Sequence, residues 1–267
     1  MTAIPGSPEG GPMPVAFFGH GSPTNTLDRN EYTEAWHAYA AAVPAPQAIL
    51  VVSAHWYVPG VRLTAAVDPP TIHDFNARFD ESLFAFQYLA KGSREVVDRI
   101  AALLEPEPVE RDFSWGIDHG AYSVLAHLYP AADVPVVQLS IDRTKSPQEH
   151  YRLARRLAPL RREGVFIVGS GNVVHNLELA RFQPRLQPFA WALRHEERIR
   201  MLAVEGDDER LVAYRSDGDD AKLSIPTPEH YLPLLYVLAQ RQSGDTCATF
   251  AAGVEAGSLS MLSLSLS

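Results

Sequence analysis

The chain has a single cysteine, Cys247, in 267 residues. No disulfide can form within it, a reducing compartment fits, and any metal must be held by nitrogen and oxygen rather than thiolate. No apolar run approaches the roughly 20 residues that a membrane-spanning helix needs. Basic residues are the minority, with 23 Lys and Arg against 32 Asp and Glu and a net charge of −9, which argues against a nucleic-acid partner. The densest basic run, Arg152 to Arg162, alternates with Leu153, Leu157 and Leu160 and reads as the solvated face of an amphipathic helix. No Lys or Arg precedes Arg29, and the Gly- and Pro-rich start reads as a flexible tail over residues 1–13 rather than a signal peptide. A soluble, cytoplasmic protein with no membrane contact is expected.

Hydrophobic residues at 46% and charged residues at 21% are ordinary for a globular protein able to bury a sizeable core. Short β-branched runs at Val15–Phe18, Ala48–Ser53, Val61–Val67, Val134–Leu139 and Val165–Gly169 predict strands. Helical patterns fall near Glu31–Ala42, Ser93–Leu104, Ala121–Leu128, Pro147–Leu160, Ala190–Val204 and Pro228–Gln240. The alternation predicts an α/β layered sandwich: a largely parallel, mixed sheet with helices on both faces. Apolar runs near Thr246–Ala251 and Ser258–Leu266 suit edge strands, and Pro184–Pro188 and Ser216–Asp220 read as loops. With no repeat and no linker, residues 14–267 are expected to form one domain.

Ten histidines are present, and their placement carries the chemistry. His20, His55 and His175 each follow a predicted strand closely, at the carboxyl edge where open α/β sheets form ligand crevices. His230, in Thr227-Pro228-Glu229-His230, reads as the first turn of a helix, and His119 precedes another helix. Any one of these alone is more often a satisfied loop or core residue. Their conjunction points to a histidine metal site, for which Zn, Fe, Cu and Ni all remain open, and to no particular reaction. His37, His127, His150 and His195 lie in predicted helices and are read as surface or core residues. Gly19, Gly21, Gly169 and Gly171 are either turn residues or points of close backbone approach.

Five segments resemble extradiol ring-cleaving dioxygenases of the protocatechuate 4,5-dioxygenase superfamily: Gly19-His20-Gly21-Ser22-Pro23, Ser53-Ala54-His55-Trp56, Asp118 to Leu125, Val134 to Ile141, and His175-Asn176-Leu177. Pro226 to Leu234 is similar to the DOPA dioxygenase branch in particular, and the matches run in order from Phe17 to Met261. The resemblance implies metal ligands His20, His55 and His230. It implies His175 as catalytic acid/base, near enough to ligate when no substrate is bound, and His119 in contact with substrate or oxygen. The partners would be a small catechol and O₂, and the cofactor one divalent metal ion, Fe(II) for activity with Zn(II) plausible as the bound ion. Better-known members use two histidines and a carboxylate. Here His230 stands beside Glu229, and His230 is favoured, with Glu229 complementing a helix N-terminus.

His73, Asp74 and Trp115 are candidates for touching substrate, and Trp56, Tyr57 and Phe75 for pocket walls. Asp118 would orient a histidine or cap a helix, and Asn172 and Asn176 would support His175. Arg62, Arg78 and Arg143 are the arginines that would pair with a substrate carboxylate. Competing readings are a zinc protein without oxygen chemistry, since zinc does not change oxidation state, and an inactive scaffold. A serine hydrolase is disfavoured because Gly169-Ser170-Gly171 lacks the full nucleophile elbow.

Overall fold

The computed structural model describes residues 11–183 and 187–267. Residues 1–10 of the expected tail, and 184–186 of the expected Pro184–Pro188 loop, lie outside the described residues. Met13, assigned to the tail, is buried and its amide donates to the Arg161 carbonyl at 2.8 Å.

An eight-stranded sheet forms the centre. Its order is Val109–Asp112, Val61–Thr64, Val136–Asp142, Ala48–Val58, Val165–Gly171, Val15–Gly19, Ser263–Leu266 and Cys247–Ala251. The four middle strands are mutually parallel. Antiparallel pairing enters on both sides, between Val61–Thr64 and Val136–Asp142 and again at Ser263–Leu266 and Cys247–Ala251. The expected mixed α/β sandwich is the observed fold.

Every residue of Val15–Gly19, Val136–Asp142 and Val165–Gly171 is buried, as apolar strands covered on both faces require. The period of two sorts them. Val15, Phe17, Leu50, Val52 and Ile167 join a core with the helices Arg94–Leu104, Pro147–Arg155, Ala190–Glu205 and Leu232–Leu238. Ala16, Phe18, Ile49, Val51 and Val168 join a second core with Glu31–Ala42 and His119–Leu128 on the opposite face.

Local chemistry sets the helix boundaries. Asn30 and Thr33 form a reciprocal capping box at the start of Glu31–Ala42, and Ser146 and Glu149 do the same for Pro147–Arg155. The single helix expected over Pro147–Leu160 is two, Pro147–Arg155 and Pro159–Arg162, because Pro159 cannot donate to the preceding turn and restarts the helix at its own first position. The arginine run is likewise not solvated throughout. Arg161 is fully buried, donating to the carbonyls of Met13 and Gln240 and to both carboxylate oxygens of Asp245. The strand expected to reach Val67 ends at Thr64. Within Ser216–Asp220, expected as a loop, the helix Asp219–Ser224 begins. Among the described residues no helix is long and apolar enough to cross a membrane.

Candidate metal and substrate site

The carboxyl ends of the parallel strands carry the histidines to one place. His20 immediately follows Val15–Gly19, and the pairing Gly19↔Gly171 brings that strand end beside Ser170. His55 lies inside Ala48–Val58 rather than after it. Pairing with Val165–Gly171 stops at Ser53 and the register with Val136–Asp142 shifts between Val52 and Tyr57, so His55 sits in an irregular stretch that has left the regular ladder. His230 is in a turn: the amides of Tyr231 and Leu232 both donate to Pro228, and the helix starts only at Leu232. This corrects the expected first-turn placement, because the proline that opens the helix is Pro233 and not Pro228.

The His230 turn is held on the strand tip by backbone. Asn172 donates its amide to the His230 carbonyl at 2.8 Å, and a Cβ on Gly171 would lie 2.1 Å from that same oxygen. Glycine is required there for close approach. His175 lies four residues beyond its strand, and its amide donates to the Ser224 carbonyl at 2.8 Å. Its ring is stacked on that of His230, 3.5 Å between centroids and 7° from parallel.

Ligand atoms of His20, His55 and His230 all lie within 4.8 Å of one another. The partners of their other nitrogens fix the tautomers. Ser170 spends its hydroxyl proton on the Gly120 carbonyl at 2.5 Å, so its oxygen accepts from Nδ1–H of His20 at 2.9 Å. Nδ1 of His55 donates to Asp74 at 3.0 Å, and Nδ1 of His230 to Glu229 at 3.2 Å. Each ring therefore keeps its lone pair on Nε2. The Nε2 atoms of His20 and His55 face each other at 3.3 Å, an arrangement of two acceptors that a cation between them stabilises. A donor set of three neutral imidazoles with oriented partners fits a divalent metal.

Asp74 lies at the centre of the charge pattern. One carboxylate oxygen bonds His55, and the other accepts from both the backbone amide and Nδ1 of His119 at 3.0 and 2.8 Å. Burial opposes its ionisation, but those hydrogen bonds outweigh burial and hold its pKa below the ordinary range. The bond also works on His55, whose pKa is raised by Asp74 despite burial, so a proton and a metal compete for its Nε2. His20 and His230 are pushed well below the ordinary histidine value, first by burial and then by neighbouring histidines. Burial lowers His119 too, and brings His175 down to about 4.

A cavity of about 610 Å³ opens on these rings and is walled by Phe75, Phe79, Leu177, Phe182 and Leu259. His20, His55, His119, His175 and His230 all line it, and so does Asp74. His73 and Trp115 are not brought to it. His73 turns its Nε2 to the Phe86 carbonyl at 2.9 Å, and Trp115 stacks on buried Trp56 with centroids 5.5 Å apart. Asp118 is a helix cap, accepting from the Ala121 amide, Ser53 and Gln138, with no bond to a histidine. Asn172 and Asn176 brace the backbone around His175 through the carbonyls of Ser260 and Leu223.

Sequence alone offers Ser170 only as a disfavoured nucleophile. Its part as the acceptor for His20 was readable once the two strand ends are placed side by side in parallel register. For Asp74 the sequence suggested a loop beside the site, but its two histidine partners lie 19 and 45 positions away and left no local trace.

Residues 12–209 match the family model described as the catalytic LigB subunit of aromatic ring-opening dioxygenase. A 4,5-DOPA dioxygenase extradiol of Escherichia coli (strain K12) is 46% identical over 258 residues, covering 95% of this chain and 94% of its own. One of the same description from Beta vulgaris is 36% identical, over 82% and 83% of the two chains. The crystal structure of an uncharacterized protein of Escherichia coli K12 superposes with a TM-score of 0.83 at 41% identity, covering 96% of this chain and 100% of that one. Matches of this extent, over a chain five of whose histidines line one cavity, show that the protein belongs to the LigB family of extradiol aromatic ring-opening dioxygenases.

Proposed function

We propose that the protein inserts both atoms of O₂ into a small, DOPA-like catechol at a single divalent metal ion held by His20, His55 and His230, with residues 14–267 acting as one catalytic unit. The observation that carries this reading is the set of three imidazoles on separate elements, each with Nδ1 engaged and Nε2 free, within 4.8 Å of one another in an aromatic-walled cavity. His20, His55 and His230 would hold the ion, and Fe(II) there would supply the redox chemistry that lets a catechol react with O₂. Neutral ligands leave the ion's charge undiminished, which favours the ionised catechol.

The remaining work falls to the chain. His175 is a neutral imidazole at pH 7, the form that accepts a catechol proton, and returns it when the ring opens. Asp74 occupies Nδ1 of His119, which leaves Nε2 of His119 to meet substrate or oxygen. Phe75, whose ring lies 5.4 Å from that of His119, and Phe79 exclude water and flank the catechol ring.

The test is oxygen uptake by protein loaded anaerobically with Fe(II) and given L-DOPA and a catechol panel, while a yellow semialdehyde band is followed. Uptake with a new visible band is expected. No uptake with any catechol, from protein shown to hold iron, would overturn the reading and favour a zinc protein of the same fold.

A further inference from the structure

We infer that Arg78 is a specificity-determining residue that takes the carboxylate of a substrate's side chain, so that the preferred catechols carry an anionic tail; this rests on the ring-opening reading above. Three arginines were candidates from sequence, and the structure separates them. Arg62 is engaged by Asp112 at 3.3 Å and Glu110 at 3.4 Å, on a strand next to the sheet edge. Arg143 does not line the histidine cavity, whereas Arg78 does. Among the described residues lining that cavity, Arg78 alone carries a permanent positive charge. Its backbone amide donates to Asn76 Oδ1 at 3.1 Å, but its guanidinium has no ion pair or hydrogen bond with a described residue.

Position adds the second argument. An outer cavity of about 1030 Å³ shares Ser22, Asn76, Arg78, Phe79, Phe182 and Leu259 with the histidine cavity. Arg78 therefore stands at the seam, with the metal-ligating rings on one side and open vestibule on the other. A ring bound at the histidines and carrying a tail outward has to pass this seam. The vestibule beyond also carries Asp28, Glu31 and Glu255. Arg181 also lines the vestibule, but its guanidinium caps the carbonyls of Glu178 and Ala180. Burial, and then the charges of Glu31 and Asp28, raise the pKa of Glu255. The acidic part of the vestibule thus disfavours an anion and leaves Arg78 as the cation next to the histidines. A tail that also bears an ammonium group would gain from those carboxylates.

Arginine suits the task because its planar fork meets both carboxylate oxygens at once. Its anchor is also well placed. Four residues upstream, Asp74 is bonded to His55 and His119, and the Phe79 amide closes a turn onto the Asn76 carbonyl at 3.3 Å. The short segment between them ties the guanidinium's base to the floor of the site.

The experiment compares 3-(3,4-dihydroxyphenyl)propionate with 4-ethylcatechol, which lacks the carboxylate, and with dopamine, which carries only the ammonium. Binding is read by calorimetry on zinc-loaded full-length protein, and kcat/KM on the iron-loaded protein, for wild type, Arg78→Ala and Arg78→Lys. Wild type should prefer the propionate to 4-ethylcatechol at least tenfold in both readouts. Arg78→Ala should reduce that ratio at least tenfold, and Arg78→Lys should restore part of it. An unchanged ratio in Arg78→Ala, or equal losses for all three ligands, overturns the inference. If iron-loaded wild type cleaves no catechol, the ring-opening reading fails, while the calorimetric ratio still decides whether Arg78 reads the carboxylate.

Discussion

The two ends of the same parallel strands bury polar groups in opposite ways. At the amino end, Arg161 is fully buried, yet its donors reach two carbonyls and both oxygens of Asp245. At the carboxyl end, His20, His55 and His230 have their outer nitrogens engaged and their inner ones gathered with only lone pairs to offer. One network is closed and holds chain segments together; the other is closed on its outside and open on its inside. A buried group left with unmatched acceptors costs stability unless a ligand supplies the match. The open network is where function is to be sought, and the closed one is where stability is.

The sharpest way to break this comparison is to remove one proposed ligand from the open end. His20→Ala and His55→Ala should each abolish metal binding, measured by metal analysis, with loss of at least about a thousandfold in oxygen uptake. Neither should lower stability of the metal-free protein by more than about 1 kcal/mol in urea unfolding, because like acceptors are being separated. Full metal occupancy in either variant would remove that residue from the ligand set. His175→Ala provides the contrast at the same end. It should retain metal and lose ring opening, and loss of metal instead would make His175 a ligand.

At the closed end the signs reverse. Arg161→Met leaves Asp245 without its partner, and a broken buried pair typically costs about 3–5 kcal/mol. Urea unfolding should show that loss, whereas kcat/KM per folded, metal-loaded molecule should stay within about twofold. A large fall in activity at unchanged stability would mean that the two ends are coupled through the sheet.

Asp74 sharpens the comparison, since it supports the open network without facing inward as a ligand of the three-histidine set. Asp74→Asn keeps the shape but removes the charge and one acceptor, so His55 and His119 are no longer both held. Loss of such an orienting partner typically costs about 10–100-fold in metal affinity or activity. A competition titration with a zinc chelator measures the first, and an unchanged affinity would reduce Asp74 to a loop anchor.

How much of this was legible follows from range. The helix Glu31–Ala42 and the strand cores at Val15, Ala48 and Val165 were readable because helical patterning and short apolar, β-branched runs are local. So was the placement of His20 and His175 just beyond strands, whereas His55 lies within its strand. His230 was singled out by its local sequence, and the ligand roles of His20, His55 and His230 came from the family resemblance. What escaped were choices made between distant segments. Asp74 needed the fold to bring it to His55 and His119, and Arg161 looked like one more surface arginine until Met13, Gln240 and Asp245 closed around it. His230 was misplaced within its segment because two prolines, Pro228 and Pro233, both satisfy a helix start and only packing against Gly171 chooses between them.

The smallest effect comes from a histidine that belongs to neither network. His195 is buried on the helix Ala190–Glu205, its Nε2 lacks a hydrogen-bond partner among the described residues, and burial lowers its pKa to about 4. In the unfolded chain it titrates near 6.5, so between about pH 6.5 and 4 the unfolded state holds more protons than the folded one. Stability then falls as pH drops through that window, and at pH 5.5 this one group costs about 1.4 kcal/mol relative to pH 7.5. His195→Phe fills the same space without a titrating group, and should shrink the difference in unfolding free energy between pH 7.5 and 5.5 by about that amount. The clustered histidines of the cavity add their own pH dependence, but it is common to both proteins and cancels in the comparison. If the variant shows the same acid loss as the wild type, the proton is taken up elsewhere, and the open network at the other end of the helix-covered sheet becomes the place to look.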